Sequence, residues 1–381
     1  MLVAVAASLA ARADAVARAE PGVTADTILL GGTAALSLPG GAAAVRGAEA
    51  YLKHVNARGG VHGRRLAYRV LDDGGDPARA LDAARRLVEQ DGVFALFHTA
   101  GTAPNEAIRP YLNGLRVPQL FADAAAASLG RDFRRFPWTI GFRPSHEAEG
   151  WIHGAYLARA KPAARVAVLF QDDADGRELL RGLRGGSARS QVTVVAARAY
   201  DAAAGDVHAE LAALQASGAD TLALFARAAV ATRAGAALRG LAWRPLLVTS
   251  AGESTLTGAV SLAFVKDPGD PRWARDPGLR LYGTILGRHA PTARAADVRH
   301  VHGMAAAYEL VRVLRAAGPL PTRGAVMAQT RKLRGASNPF LLPGIRVETS
   351  ATERFPLEQA MLQRRTPAGW RVFGGLWSAR G

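Results

Sequence analysis

Thr99, Thr102, Asp123, Asp172, Asp173, Asp175 and Arg227 stand in short loops rich in Gly, Ala, Ser and Thr, each following an apolar run. Hydroxyls and a guanidinium suit an anion, and carboxylates accept hydrogen bonds or hold a cation. None of these residue types, at this spacing, supplies an activated nucleophile. The chain has no Gly-x-x-x-x-Gly-Lys-Ser/Thr phosphate loop, no Gly-x-Gly-x-x-Gly after its first strand and no Gly-x-Ser-x-Gly elbow. His146 and His153 are seven residues apart with Glu147 and Glu149 between them, which is not the His-Glu-x-x-His spacing of a zinc helix. His300 and His302, two apart on a predicted helix, point to different faces. Cysteine is absent, which removes disulfides, thiol chemistry and a lipid-anchored cysteine. Recognition is the chemistry these residues offer, with an enzyme as a rival reading that no residue here nominates.

The elements that must position these loops form two similar series. Apolar strands at residues 27–31, 66–71, 93–97 and 117–121 alternate with helical patterns, and the set recurs at 166–170, 192–197, 221–226 and 245–249. Such alternation predicts α/β architecture with two doubly wound parallel-sheet lobes. Helices are expected at 44–56, 103–112, 207–216, 229–241, 278–289 and 298–317, and another starts at Asp76-Pro77, an N-cap followed by a first-turn proline. Phe142-Arg143-Pro144 separates the two series, and the proline-rich 266–277 stretch reads as a connector. A strand-like region at 344–349 precedes a hairpin of 357–364 and 370–377, turned by Thr366-Pro367-Ala368-Gly369. The chain then crosses between lobes three times, giving a three-segment hinge.

Ligands of open parallel sheets bind beyond the carboxyl ends of the strands. That rule selects loops 33–39, 98–102 and 122–127 in the first series and 171–176, 227–229 and 250–254 in the second. Thr99 and Thr102 offer hydroxyls there, with helix capping as the plainer use of Thr102. Arg227 is the one cation of these loops and could equally pair with a surface acid. Asp175 is the aspartate expected to face inward.

The 381 residues, 49% hydrophobic and 21% charged, suffice for two globular lobes, and no apolar run reaches membrane-spanning length. Net charge is +16, yet only Lys53, Lys161, Lys266 and Lys332 are lysines and the arginines are scattered. This reads as compositional bias, not as a nucleic-acid surface. Residues 1–19 fit an exported signal peptide cleaved near Ala19, although no basic residue precedes the apolar stretch. Export without an anchor places the mature protein in the periplasm.

Ordered motifs extend these expectations. They are Asn56-Ala57-Arg58-Gly59-Gly60-Val61-His62-Gly63-Arg64, Leu71-Asp72-Asp73, Gly101-Thr102-Ala103-Pro104-Asn105 and Val117-Pro118-Gln119-Leu120-Phe121. Lys266-Asp267-Pro268 with Trp273, Leu342-Pro343-Gly344-Ile345-Arg346-Val347 and Thr349-Ser350 follow. In this order the chain resembles the type I periplasmic solute-binding proteins of the branched-chain amino-acid ABC transporter family. The resemblance implies a monomeric Venus-flytrap protein, non-enzymatic and without cofactor or metal, that hands a small solute to an inner-membrane ABC permease. It implies lobes formed by 27–143 plus 268–347 and by 144–267 plus 348–381. It further implies a ligand carboxylate held by His98, Thr99, Ala100 and Gly101 and by Asp123, Ala124 and Ala126. Asp175, Arg227, Ser250 and Ala251 would close over it from the second lobe.

Three departures bear on the ligand. Ala124-Ala125-Ala126 stand where the family carries a threonine, Asp175 replaces a tyrosine before Gly176, and Ser250 or Ala251 replaces an acid that would hold an α-ammonium. An amine-free carboxylate paired with Arg227 therefore stands beside an amino acid as the expected solute. A ligand sensor using the same closure is the alternative function.

Overall fold

A computed structural model describes residues 20–201, 206–250, 255–335, 337–352 and 354–379. The expected signal peptide and Ala251 lie outside the described residues, as do the last two residues of the chain.

The first series folds into a five-stranded parallel sheet of β1 (Thr27–Ala34), β2 (Arg65–Asp72), β3 (Ala95–Phe97), β4 (Gln119–Ala122) and β5 (Thr139–Gly141), in the order β2-β1-β3-β4-β5. β3 and β4 are buried along their whole length, as strands covered on both faces must be. The covering helices are α1 (Ala43–Asn56), α2 (Pro77–Arg85), α3 (Thr102–Gly114) and the single turn α4 (Ser128–Arg131), with a π-helical turn at Arg86–Gln90 prolonging α2. Asp76 caps α2 as expected, accepting from the Arg79 N–H at 2.8 Å.

The second sheet has seven strands. After α5 (His146–Ala160) come β6 (Arg165–Gln171), α6 (Ala174–Ser187), β7 (Thr193–Tyr200), α7 (His208–Ala216), β8 (Thr221–Phe225), α8 (Ala228–Gly240), β9 (Leu246–Thr249) and β10 (Val260–Ala263). The chain then returns to the first sheet through α9 (Pro277–His289), α10 (Val298–Ala316) and α11 (Arg323–Thr330), and ends in β11 (Gln359–Thr366) and β12 (Gly369–Ser378). Strand order is β12-β11-β10-β9-β8-β6-β7, parallel through β9–β10 and antiparallel at the terminal hairpin.

One expectation about the elements needs correction. Residues 344–349 are not a strand: Ile345 and Val347 are buried, but as irregular chain tied by the Thr349 N–H to Leu333 O at 3.1 Å. The stretch 266–277 is a connector, as its prolines imply, with local order of its own. It contains a 3-10 turn at Pro271–Trp273, and Lys266 Nζ donates to both Asp276 oxygens and to Pro339 O at 2.8–2.9 Å.

Glycines set the helix packing. A Cβ on Gly150 or Gly154 of α5 would land on the backbone of α6, and one on Gly182 or Gly186 of α6 would land on that of α5. α1 and α10 cross the same way, Gly47 against His300 O and Gly303 against Ala44 O. The segments passing between the sheets are also joined to one another. Val265 bridges Leu341, Lys266 N–H donates to Phe340 O at 3.0 Å and Leu342 N–H to Phe264 O at 2.9 Å. Arg143, in the first passage, lies over the Phe264 ring at 5.9 Å. Among the described residues no helix is long and apolar enough to cross a membrane.

Candidate functional site

Among the described residues, loop 98–102 is bonded to loop 122–127, and loop 171–176 meets Arg227; the backbone is strained where the first two begin. His98, just past β3, and Phe121, near the end of β4, both have positive φ, 52° and 53°. Non-glycine residues there cost of order 1–3 kcal/mol each, and such strain gathers at functional sites. The His98 Nδ1–H donates to Phe121 O at 3.2 Å, so the two strained positions brace each other. Gly101, at φ 89°, is the N-cap of α3 and supplies no side-chain cap. Thr102 is the first helical residue, so it does not cap.

Much of the first loop's hydrogen-bonding capacity is engaged inside the protein. The fully buried Thr99 donates its hydroxyl to Asn105 Oδ1, and Asn105 Nδ2 returns bonds to Thr99 O and Gly101 O at 2.8 and 2.7 Å. Gln119 Nε2 reaches the same Asn105 oxygen at 2.7 Å. Ala100 N–H donates to Thr33 O, Gly101 N–H to Asp123 O, and Asp123 N–H to Thr99 O. Thr99, Ala100 and Gly101 therefore lie where they were expected, but as a stitched frame. The groups facing outward from it are the Thr102 hydroxyl and the uncapped start of α3, a natural seat for negative charge.

Asp123 is likewise engaged. Its oxygens meet Arg143 Nη1 at 3.3 Å and His98 Nε2 at 3.8 Å. Burial pushes its carboxyl up, but His98 and Arg143 outweigh that and hold it below the usual carboxylate range. His302 lies nearby, its ring 4.8 Å from Phe264, and burial pushes its pKa down to about 3, so it is neutral. Ala124 and Ala126 are buried with Ala122 and Leu129 in a small apolar cluster. Ala125 O accepts from His146 N–H at 2.7 Å.

From the second sheet, Asp175 lies in the first turn of α6, whose N-cap Asp173 accepts from Gly176 N–H at 2.8 Å. Its Oδ2 is 3.5 Å from His146 Nε2 and 3.9 Å from Arg227 Nη2. Burial raises the Asp175 carboxyl, while hydrogen bonds from His146 and Thr102 and the charge of Arg227 bring it below its ordinary value. Arg227 itself is largely exposed, at 69% of its side chain. Ser250 is buried, its hydroxyl reaching Ala226 O at 3.4 Å.

Sequence reasoning weighed His146 only with His153, as an unsuitable metal pair, and noted Glu149 only as standing between them. His146 lies between Asp175 and Glu149, the latter 3.6 Å from Nδ1. Burial opposes its charge, but the two carboxylates raise its pKa to about 9. Glu149, despite burial, is lowered to about 2 by His146 and His153. Their spacing of three along α5 put both on one face, which was legible. Among the described residues no group of three or more His, Cys, Asp or Glu side chains could hold a metal ion.

A neck where loops of two parallel sheets meet, lined by paired charges and strained turns, can grip a small polar molecule from both sides. The family model for periplasmic binding proteins matches residues 28–362. The chain belongs to the periplasmic binding protein family. This binding protein is similar in fold to a fatty acid ABC transporter substrate-binding protein from Thermomonospora curvata (TM-score 0.80, 18% identity, 95% of each chain). It is also similar to a branched-chain amino acid ABC transporter protein from Thermus thermophilus with bound valine (TM-score 0.77, 18% identity, 93% of this chain and 96% of that one). A type 1 periplasmic binding protein from Bordetella pertussis aligns with TM-score 0.76 at 20% identity, over 92% of this chain and all of that one. An amino acid binding protein of Pseudomonas aeruginosa is 26% identical over 151 residues. That match spans 36% of this chain and about a third of the relative, 37%.

Proposed function

We propose that this binding protein is the periplasmic substrate-binding component of an ABC importer, without catalytic activity. It would capture a small amino acid or organic carboxylate between two lobes, residues 27–143 plus 268–347 and 144–267 plus 348–381, and deliver it to an inner-membrane permease. The observation that carries this reading is the meeting of the β4 loop with α5 and α6 at one neck, where His146 N–H donates to Ala125 O at 2.7 Å and Ala127 N–H donates to Glu178 at 2.9 Å. A molecule lodged there touches both lobes, so binding favours the closed arrangement over the open one. The uncapped α3 N-terminus supports a carboxylate at the first lobe. Fatty acids and valine, named for two structurally similar proteins, share that group. The titration that tests this uses amino acids and their deaminated acids, read by thermal shift and calorimetry. At least one carboxylate raises the melting temperature and binds stoichiometrically. No response from either class would overturn the reading.

A further inference from the structure

Asp175, Glu178 and Arg181 follow one another at intervals of three along α6, a spacing that aligns them in one stripe. The stripe lies at the seam between α6, the start of α5 and the loop leaving β4. Asp175 Oδ2 lies 3.5 Å from His146 Nε2, at the start of α5. Glu178 Oε2 accepts from Ala127 N–H at 2.9 Å. Arg181 lies 3.7 Å from Glu147 Oε2, the same oxygen that pairs with Arg131 of α4. Of the three, Glu178 is the most enclosed, 8% exposed. Burial keeps the Glu178 carboxyl above its ordinary range, and the Ala127 N–H with the charges of His146 and Arg131 acts against that burial only in part.

The loop held this way is 123–127. Second-sheet groups clamp it at two points, His146 N–H on Ala125 O and Glu178 on Ala127 N–H, with Ala124–Ala126 between strand and clamp. We propose that Glu178 is a positioning residue for the binding cleft: it fixes the 123–127 loop in its ligand-holding conformation only when the two lobes are together. The proposal rests on the reading of that loop as part of the solute site. Glu178 touches no solute; it ties the loop's shape to closure, so that part of the affinity depends on a residue outside the contact shell.

The test compares wild type, Glu178→Ala and Glu178→Gln, by small-angle scattering without solute and by calorimetric titration with L-valine, L-leucine and their deaminated acids. Glu178→Ala gives a larger radius of gyration and at least about tenfold weaker binding of the best responder. Glu178→Gln, whose amide oxygen can still accept from Ala127, restores most of both. A Glu178→Ala protein that melts cooperatively but keeps wild-type scattering and affinity overturns the proposal. Should that variant fail to fold, Glu178→Asp, with a carboxylate one methylene short of Ala127, is read by the same two criteria. If wild type binds none of the four compounds, the solute reading is what fails, and scattering alone still decides whether Glu178 holds the lobes together.

Discussion

At the scale of single residues the site is a set of charges that neutralise one another. His146 is shared by Asp175 and Glu149, while Asp123 is shared by Arg143 and His98. This pairing has a pH signature. Because the His146 pKa is raised from 6.5 to about 9, its contribution is full below about 6.5 and disappears as pH rises through 9. Glu149, lowered from 4.5 to about 2, contributes above 4.5 and loses its effect as pH falls through 2. Stability from the cluster is therefore greatest between those two ordinary values and declines on the alkaline side by order of 2–3 kcal/mol. Urea unfolding of wild type between about pH 6 and 9 shows this decline, and His146→Gln flattens it. The sequence made the loop membership of Thr99, Asp123 and Asp175 readable, because strand ends select loops. It did not reveal that Thr99 donates to Asn105, six residues on. That bond forms only once α3 folds back over β4 and brings Gln119 alongside.

At the scale of elements the repeating strand–helix pattern was legible to within one to three residues for the long strands and most helices. The three residues of β5 and the four of β10 were not, since runs that short show no period. Residues 344–349 misled for the opposite reason: Ile345 and Val347 alternate like a strand, but their backbone joins no named strand of either sheet. Helix packing was hidden altogether. Gly150 and Gly154 facing Gly182 and Gly186 read as weak helix formers, yet they let two backbones touch. Gly182→Ala places a methyl group against the Glu147 carbonyl and forces α5 and α6 apart. We expect a loss of about 2–4 kcal/mol in denaturant unfolding, far beyond the helix-propensity gain of about 1 kcal/mol. A solvent-facing control such as Gly240→Ala, whose added Cβ meets nothing within 4 Å, stays near wild type or above it.

At the scale of the whole molecule, the chain folds as two sheets with three passages between them, and those passages are not independent strings. Phe264 sits at their junction, with the His302 ring tilted against it at 4.8 Å and Arg143 at 5.9 Å. Phe264→Ala removes both contacts and leaves a void, with an expected cost of roughly 3 kcal/mol. It also broadens the distribution of lobe separations in double electron–electron resonance measurements between spin labels placed on the two sheets. An unchanged distribution would show that Phe264 serves core packing alone. Net charge of +16 has no comparable focus, since acidic partners such as Asp72, Asp91 and Asp172 are interspersed with the arginines.

The antiparallel bridge between Val265 and Leu341 bears on what any downstream partner can sense. Two ribbons laced together resist sliding and torsion, which leaves bending as the easy distortion. On the proposed function, solutes of differing size would then all drive the halves along one arc toward a single outline. A receptor that recognises this outline learns that the mouth is occupied, and the identity of the cargo stays a matter for the mouth itself.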